Sequence, residues 1–153
     1  MKAVLQRVKN ARVDVDGVTV GKCEEGLMIL LGVAKGDCEE DARLLATKIC
    51  NLRIFNDEND KMNLSVKNID GEALVISQFT LMANYKHGNR PDFLDSAPPD
   101  EANRLYEYFV SIMSAELRHV EKGIFGAHME VGLVNDGPVT IVMDSEVLKK
   151  KKQ

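Results

Sequence analysis

From Leu27 to Val33 the chain runs Leu-Met-Ile-Leu-Leu-Gly-Val with no polar side chain. A strand of that composition has no face to offer to water, so it belongs inside a sheet covered on both sides. Covering it requires packed layers around a shared core. With 153 residues, 44% hydrophobic and 29% charged, the chain is long and apolar enough for one such core and too short for two. This is globular composition, neither collagenous nor disordered.

The flanking segments supply the rest of the sheet. Val13 and Val15 alternate with Arg12 and Asp14, Asp16-Gly17 provides a hairpin turn, and Val18 and Val20 resume the alternation. Asp37 is expected to cap a helix in which Ala42, Leu45, Ile49 and Leu52 recur at helical spacing, with Glu39, Glu40 and Asp41 in its first turn. The polar stretch Asn56 to Lys61 is predicted to be an exposed loop, and Ala73 to Leu81 a strand. Pro91 and the pair Pro98-Pro99 then break the chain before a second helix, whose buried face would carry Ala102, Leu105, Phe109 and Ile112. Beyond Gly123 two closing strands are predicted, Met129–Val134 and Val139–Ser145, joined by a turn at Asn135-Asp136-Gly137-Pro138. This order lacks regular β-α-β alternation. It predicts a single α/β domain over residues 1–148, with largely antiparallel strands, two main helices and a second sheet layer, so that the layers run β/β/α. Residues 149–153 are expected to form a basic C-terminal tail.

Several function classes fall away on composition. No apolar run approaches the roughly 18 residues of a membrane span, and the start lacks the apolar stretch and cleavage site of a signal peptide, so a cytoplasmic protein without a membrane partner is expected. Cys23, Cys38 and Cys50 are odd in number and far apart, with neither a C-x-x-C pair nor zinc-ligand spacing. They read as reduced packing thiols. His87, His119 and His128 are equally scattered, so no metal site is proposed. Net charge is −4, and four of the 20 basic residues are Lys149 to Lys152, leaving 16 basic against 24 acidic in the body. That balance disfavours a broad grip on a nucleic-acid duplex, DNA included, but permits contact with one end of a nucleic acid.

Two segments carry polar residues where a bland strand would not. In Ser77-Gln78-Phe79-Thr80, period-2 alternation sends Ser77 and Phe79 to one face and Gln78 and Thr80 to the other. An amide here is either satisfied in the core or turned toward a ligand. Asn135-Asp136-Gly137-Pro138-Val139-Thr140 is either a tight turn or a rigid backbone wedge at a pocket wall, and sequence alone does not fix the isomer of its Gly-Pro bond.

The strings Ser77-Gln78-Phe79-Thr80-Leu81 and Leu133 to Thr140 closely resemble the two signature motifs of the D-aminoacyl-tRNA deacylase family. The resemblance extends to about Ser145 and includes the opening AVLQRV with Arg7, LLGV at Leu30–Val33, NLRIF at Asn51–Phe55, KMNLSV at Lys61–Val66, GNRPDF at Gly88–Phe93 and APP at Ala97–Pro99. It implies a cytoplasmic homodimer, acting without metal or organic cofactor, that hydrolyses the ester between a D-amino acid, or glycine, and the terminal adenosine of tRNA. It further implies that a cis Gly137-Pro138 bond reaches into the neighbouring subunit's site and rejects L-amino acids, with Arg7 as its prop. Backbone groups near Phe79 and Thr80 would stabilise the oxyanion while the ribose 2′-OH helps activate water, Ser77 and Gln78 would orient the substrate, and Phe125 and Met129 would border the terminal adenine. Thr80 could in principle be a nucleophile, but no activating partners are visible in the sequence. The chain departs from the family's usual pattern at Asp92, His128 and Gly132. Two other classes stand beside this one, a non-catalytic RNA-binding dimer and an esterase of free acyl esters.

Overall fold

The computed structural model describes residues 1–150. Strand β1 (Lys2–Val15) is its spine. On one edge β1 pairs antiparallel first with β3 (Gly26–Gly32) and then with β2 (Val18–Cys23), and on its other edge it pairs antiparallel with the long β8 (Glu130–Asp144). The sheet continues in parallel from β3 to β6 (Glu72–Ser77) and from β6 to β7 (His119–Lys122). A separate short ribbon joins β4 (Phe55–Asn56) to β5 (Met62–Leu64). The β1–β2 hairpin closes at Asp16 and Gly17, both at positive φ, with Val15 opposite Val18, as the Asp-Gly pair predicts.

Strand β3 is covered on both faces. Leu27, Ile29 and Leu31 belong to a cluster shared with the helices, whereas Met28 packs in a second cluster with Val8, Val13, Leu74 and Ile76. The second β layer comes from the same sheet folding back, so that β2 approaches β7. The Lys22 N–H donates to Glu121 Oε1 at 3.0 Å, and a Cβ on Gly21 would lie 2.4 Å from the Lys122 carbonyl. Against the other face lie α1 (Glu39–Asn51) and α2 (Pro99–Glu116), whose seam buries Leu45, Ile49, Leu105, Phe109 and Met113 completely. Full burial of such a side chain is worth roughly 1.5–3 kcal/mol, enough for this seam to fix both helices on the sheet.

Four sequence-based expectations need correction. The strand predicted over Ala73 to Leu81 ends at Ser77, because the chain turns through Gln78 into a 3-10 turn over Phe79–Met82, so strand alternation does not set the faces of Gln78, Phe79 and Thr80. Helix α1 is capped by Cys38 rather than Asp37: Asp41 Oδ2 accepts the Cys38 N–H at 2.9 Å, while Asp37 instead accepts from the Ala34 N–H and pairs with the Met1 ammonium. The two closing strands are one strand, because both halves of β8 pair with β1, from Lys2↔Asp144 to Asp14↔Glu130. The expected turn is therefore a loop-out in a continuing strand. Gln6 faces Thr140 and Val8 faces Asn135, so Asp136 to Val139 bulge out opposite Arg7 alone. Finally, Lys149 is not a free tail residue, since its Nζ pairs with Asp41 at 2.9 Å and Glu146 at 2.7 Å. Lys151 and Lys152 lie outside the described residues.

Candidate active site

Strand β6 delivers the first motif. Its last paired residue, Ser77, stands opposite Leu31, and the Gln78 N–H donates to the Leu31 carbonyl at 2.8 Å. There the sheet ends, and the backbone turns through Gln78 into a 3-10 turn, Phe79–Met82. Gly32 makes this turn possible: a Cβ there would lie 2.9 Å from the Gln78 carbonyl and 3.0 Å from Leu81 Cβ. Phe79 is 58% exposed and meets Phe93 edge to face at 5.1 Å, and Ser96 Oγ donates to its carbonyl at 3.3 Å. The N–H groups of Phe79 and Thr80 have no acceptor among the described residues. They are available to a ligand oxygen.

Beside this turn opens a cavity of about 760 Å³. Ser77, Gln78 and Phe79 border it on one side and Phe125, His128 and Met129 on another, between walls of Leu31, Ala102 and Tyr106. The structure thus brings together the first motif and the expected adenine-side pair, residues nearly fifty positions apart in sequence. The wall is apolar where Tyr106 forms it, because the Tyr106 hydroxyl points away and donates to the Val75 carbonyl at 2.7 Å. Phe125 leans on that ring at 6.2 Å. Met129 lies where Gly123 leaves room, since a Cβ on Gly123 would come within 2.6 Å of its sulfur.

Thr80 is not part of the lining. Its exposed hydroxyl accepts a short hydrogen bond from Gln78 Nε2, and no histidine or carboxylate among the described residues bonds to it. A threonine hydroxyl without a base is a weak nucleophile, so the geometry equips it to orient Gln78 rather than to attack. Among the described residues no three His, Cys, Asp or Glu side chains converge as a metal site. The buried thiols are equally unsuited to chemistry, with burial pushing Cys23 up to about 12 and Cys50 up to about 11.

The second motif lies elsewhere. Gly137 and Pro138, joined by a cis peptide bond, are exposed on the β8 bulge and do not line this chain's cavity. Arg7 is buried beneath them, its Nε donating to the Asp136 carbonyl at 2.9 Å. Gly137 has φ +130, and a Cβ there would lie 3.0 Å from both Arg7 Nη2 and Val139, so both backbone and space demand glycine.

Sequence reasoning missed much of the cavity wall. Tyr106 follows Ala102 by one helical turn, which was a usable signal. Leu31 and Phe93 were marked only as parts of strings shared with the family, and Ser96 carried no signal, since all three reach the cavity through the meeting of β3 with the segment before α2.

The D-Tyr-tRNA(Tyr) deacylase family model matches residues 4–144. The D-aminoacyl-tRNA deacylase of Thermosipho africanus is 59% identical over 146 residues, covering 95% of this chain and 98% of that protein. That of Dictyoglomus turgidum is 52% identical over 153 residues, covering 100% and 98%. Among solved structures, the c-Myc DNA unwinding element binding protein superposes with a TM-score of 0.89 at 39% identity, covering 94% of this chain and 98% of its own. A probable eukaryotic D-amino acid tRNA deacylase shares the fold, with a TM-score of 0.80 at 16% identity and the same coverage. Since the matched span takes in nearly all of the sheet, both helices, the cavity and the bulge, the chain belongs to the D-Tyr-tRNA(Tyr) deacylase family.

Proposed function

We infer that this protein hydrolyses the ester joining a D-amino acid, or glycine, to the terminal adenosine of tRNA, and that it spares the L-aminoacyl ester. The observation that carries this reading is the placement of Ser77, Gln78 and Phe79 at a cavity walled by Phe125 and Met129, with the Phe79 N–H and that of the adjoining Thr80 both left without an acceptor among the described residues. An apolar and thioether surface suits an adenine ring. Two N–H groups in succession suit the oxyanion of a tetrahedral intermediate, where one such donor is worth about 10²–10³ in rate. Ser77 and Gln78 orient the aminoacyl group. With no base beside Thr80, the ribose 2′-OH assists water in attacking the ester carbon, and the terminal 3′-oxygen leaves with the proton.

Chirality is read by backbone. Gly137 and Pro138 project from the bulge and do not reach their own cavity, which supports a homodimer in which each bulge enters the partner's site. Rejection at Cα by rigid backbone acts on every L residue regardless of side chain, whereas contacts to one side chain would limit the enzyme to a few amino acids. Glycine has no Cβ and passes. The exposed turn bearing Lys86, His87, Asn89 and Arg90 supplies phosphate contacts for the acceptor end.

Deacylation of matched D-Tyr-tRNA, L-Tyr-tRNA and Gly-tRNA by the purified protein, with chelator throughout, tests the reading. Release of D-Tyr and Gly but not L-Tyr is expected. Equal release of D and L refutes the filter, and no release refutes catalysis in favour of RNA binding alone. A 2′-deoxy terminal adenosine should sharply lower turnover, and unchanged turnover would remove the 2′-OH from the mechanism.

A further inference from the structure

The bulge Asp136–Val139 has no facing residue in β1 other than Arg7, so its backbone position depends on whatever side chain is brought to it. Arg7 is that side chain: Nε donates to the Asp136 carbonyl at 2.9 Å, and Nη2 stands where a Cβ on Gly137 would come within 3.0 Å of it. A guanidinium is a rigid planar fork, so fixing its far edge fixes the direction of its near edge. The far edge, Nη1, donates to the Ile54 carbonyl at 2.8 Å and to Asn56 Oδ1 at 3.3 Å. Asn56 is itself oriented, because its Nδ2 donates to Asp60 Oδ1 at 2.8 Å, which leaves Oδ1 facing the arginine. Asp60 is anchored in turn by its N–H, which donates to the Asp57 carbonyl at 3.0 Å, and the Asp57 N–H donates to Lys61 at 2.8 Å.

We propose that Asn56, oriented by Asp60, is a positioning residue for the rejection of L-aminoacyl esters: through Arg7 it sets where Asp136, Gly137 and Pro138 stand. This role rests on the reading of Gly137-Pro138 as the chiral filter. Steric exclusion depends on where atoms stand to a fraction of an ångström, so a filter is more sensitive to a lost support than is the site that binds the accepted substrate. The D ester does not press on the bulge, and its hydrolysis is insensitive to the change. The polar loop between β4 and β5 thereby acquires a task beyond closing a ribbon.

The test compares wild type, Asn56→Ala and the double variant Asn56→Asp/Asp60→Asn as full-length proteins, measuring kcat/KM for D-Tyr-tRNA and L-Tyr-tRNA together with Tm. Asn56→Ala is expected to raise hydrolysis of the L ester about tenfold, the scale of one hydrogen bond to a charged group, with the D ester within about twofold of wild type. Asn56→Asp combined with Asp60→Asn keeps an acceptor for Arg7 and, with donor and acceptor exchanged between positions 56 and 60, keeps the orienting bond, so it should retain the wild-type D/L ratio. An unchanged ratio in Asn56→Ala, even with a lowered Tm, overturns the proposal, as does an equal loss of selectivity in both variants. Absence of any D preference in wild type would overturn the functional reading itself, a result distinct from either.

Discussion

Thr80 illustrates how far a residue's chemistry is set by its neighbours. Its hydroxyl accepts from Gln78 Nε2, and no base among the described residues bonds to it, so on the proposed reading removing it deletes a contact and not a nucleophile. Thr80→Ala should therefore keep kcat within about tenfold of wild type for D-Tyr-tRNA, whereas loss of a true nucleophile costs on the order of 10⁶. Single-turnover deacylation distinguishes these, and loss of that second size with folding intact would make Thr80 the nucleophile after all. The motif around Thr80 could be read from sequence because polar residues at a strand end are conspicuous there. The cavity walls were harder to read, because Leu31 looks like any core residue until β3 and the segment before α2 are placed side by side, and Tyr106 was signalled only by its spacing from Ala102. Arg7 was legible only through family resemblance, since nothing in its local sequence shows that its partners lie at Ile54, Asn56 and Asp136.

At the scale of elements, local chemistry decided what it could. Asp16-Gly17 closed a hairpin and Pro98-Pro99 opened a helix, as their backbone preferences dictate. Asn135 to Pro138 is just as rich in turn formers, yet pairing of both flanks with β1 overrode it and kept the strand running in one direction. Strand β7 was not anticipated, being four half-buried residues held chiefly by parallel pairing with β6. Two predictions belong here. A Cβ on Gly26 would sit 1.8 Å from the Glu72 carbonyl, so Gly26→Ala must push β3 from β6, and about 3 kcal/mol or more of stability should be lost in urea unfolding. Asp41 ties the start of α1 to the segment after β8. Burial alone would raise its carboxyl, but bonds from Ser145 Oγ, the Cys38 N–H and Lys149 prevail and hold it well below the usual carboxylate range. A group lowered on folding stabilises above its unfolded value, near pH 4, and that contribution fades as pH falls further. Asp41→Asn should thus cost about 3 kcal/mol at pH 7, and the gap from wild type should narrow below about pH 4. A gap independent of pH in matched denaturation curves would contradict this assignment.

For the whole molecule, charge and assembly set the terms of encounter with tRNA. With a net charge of −4 and 16 basic against 24 acidic residues outside Lys149 to Lys152, the protein repels most of a polyanion, so affinity for uncharged tRNA should be weak and fall with salt. Tight, salt-indifferent binding in a titration would exclude contact limited to the acceptor end. In the proposed arrangement a cavity and its filter belong to different copies, so sedimentation should show a dimer at working concentration, and a stable monomer that still rejects L-Tyr-tRNA would refute sharing. The pairing of β1 with β8 along nearly their full lengths bears also on how the molecule is made. Synthesis proceeds from the amino end at about 5–20 residues per second, so β1 leaves the ribosome on the order of ten seconds before the strand that covers its second edge. Throughout that interval a 14-residue strand offers unpaired amides to any neighbour, and a nascent chain stopped short of Glu130 would keep doing so. Completion of this protein's sheet therefore waits on the synthesis of β8, and stops before Glu130 are expected to yield chains that aggregate or recruit chaperones rather than fold in part.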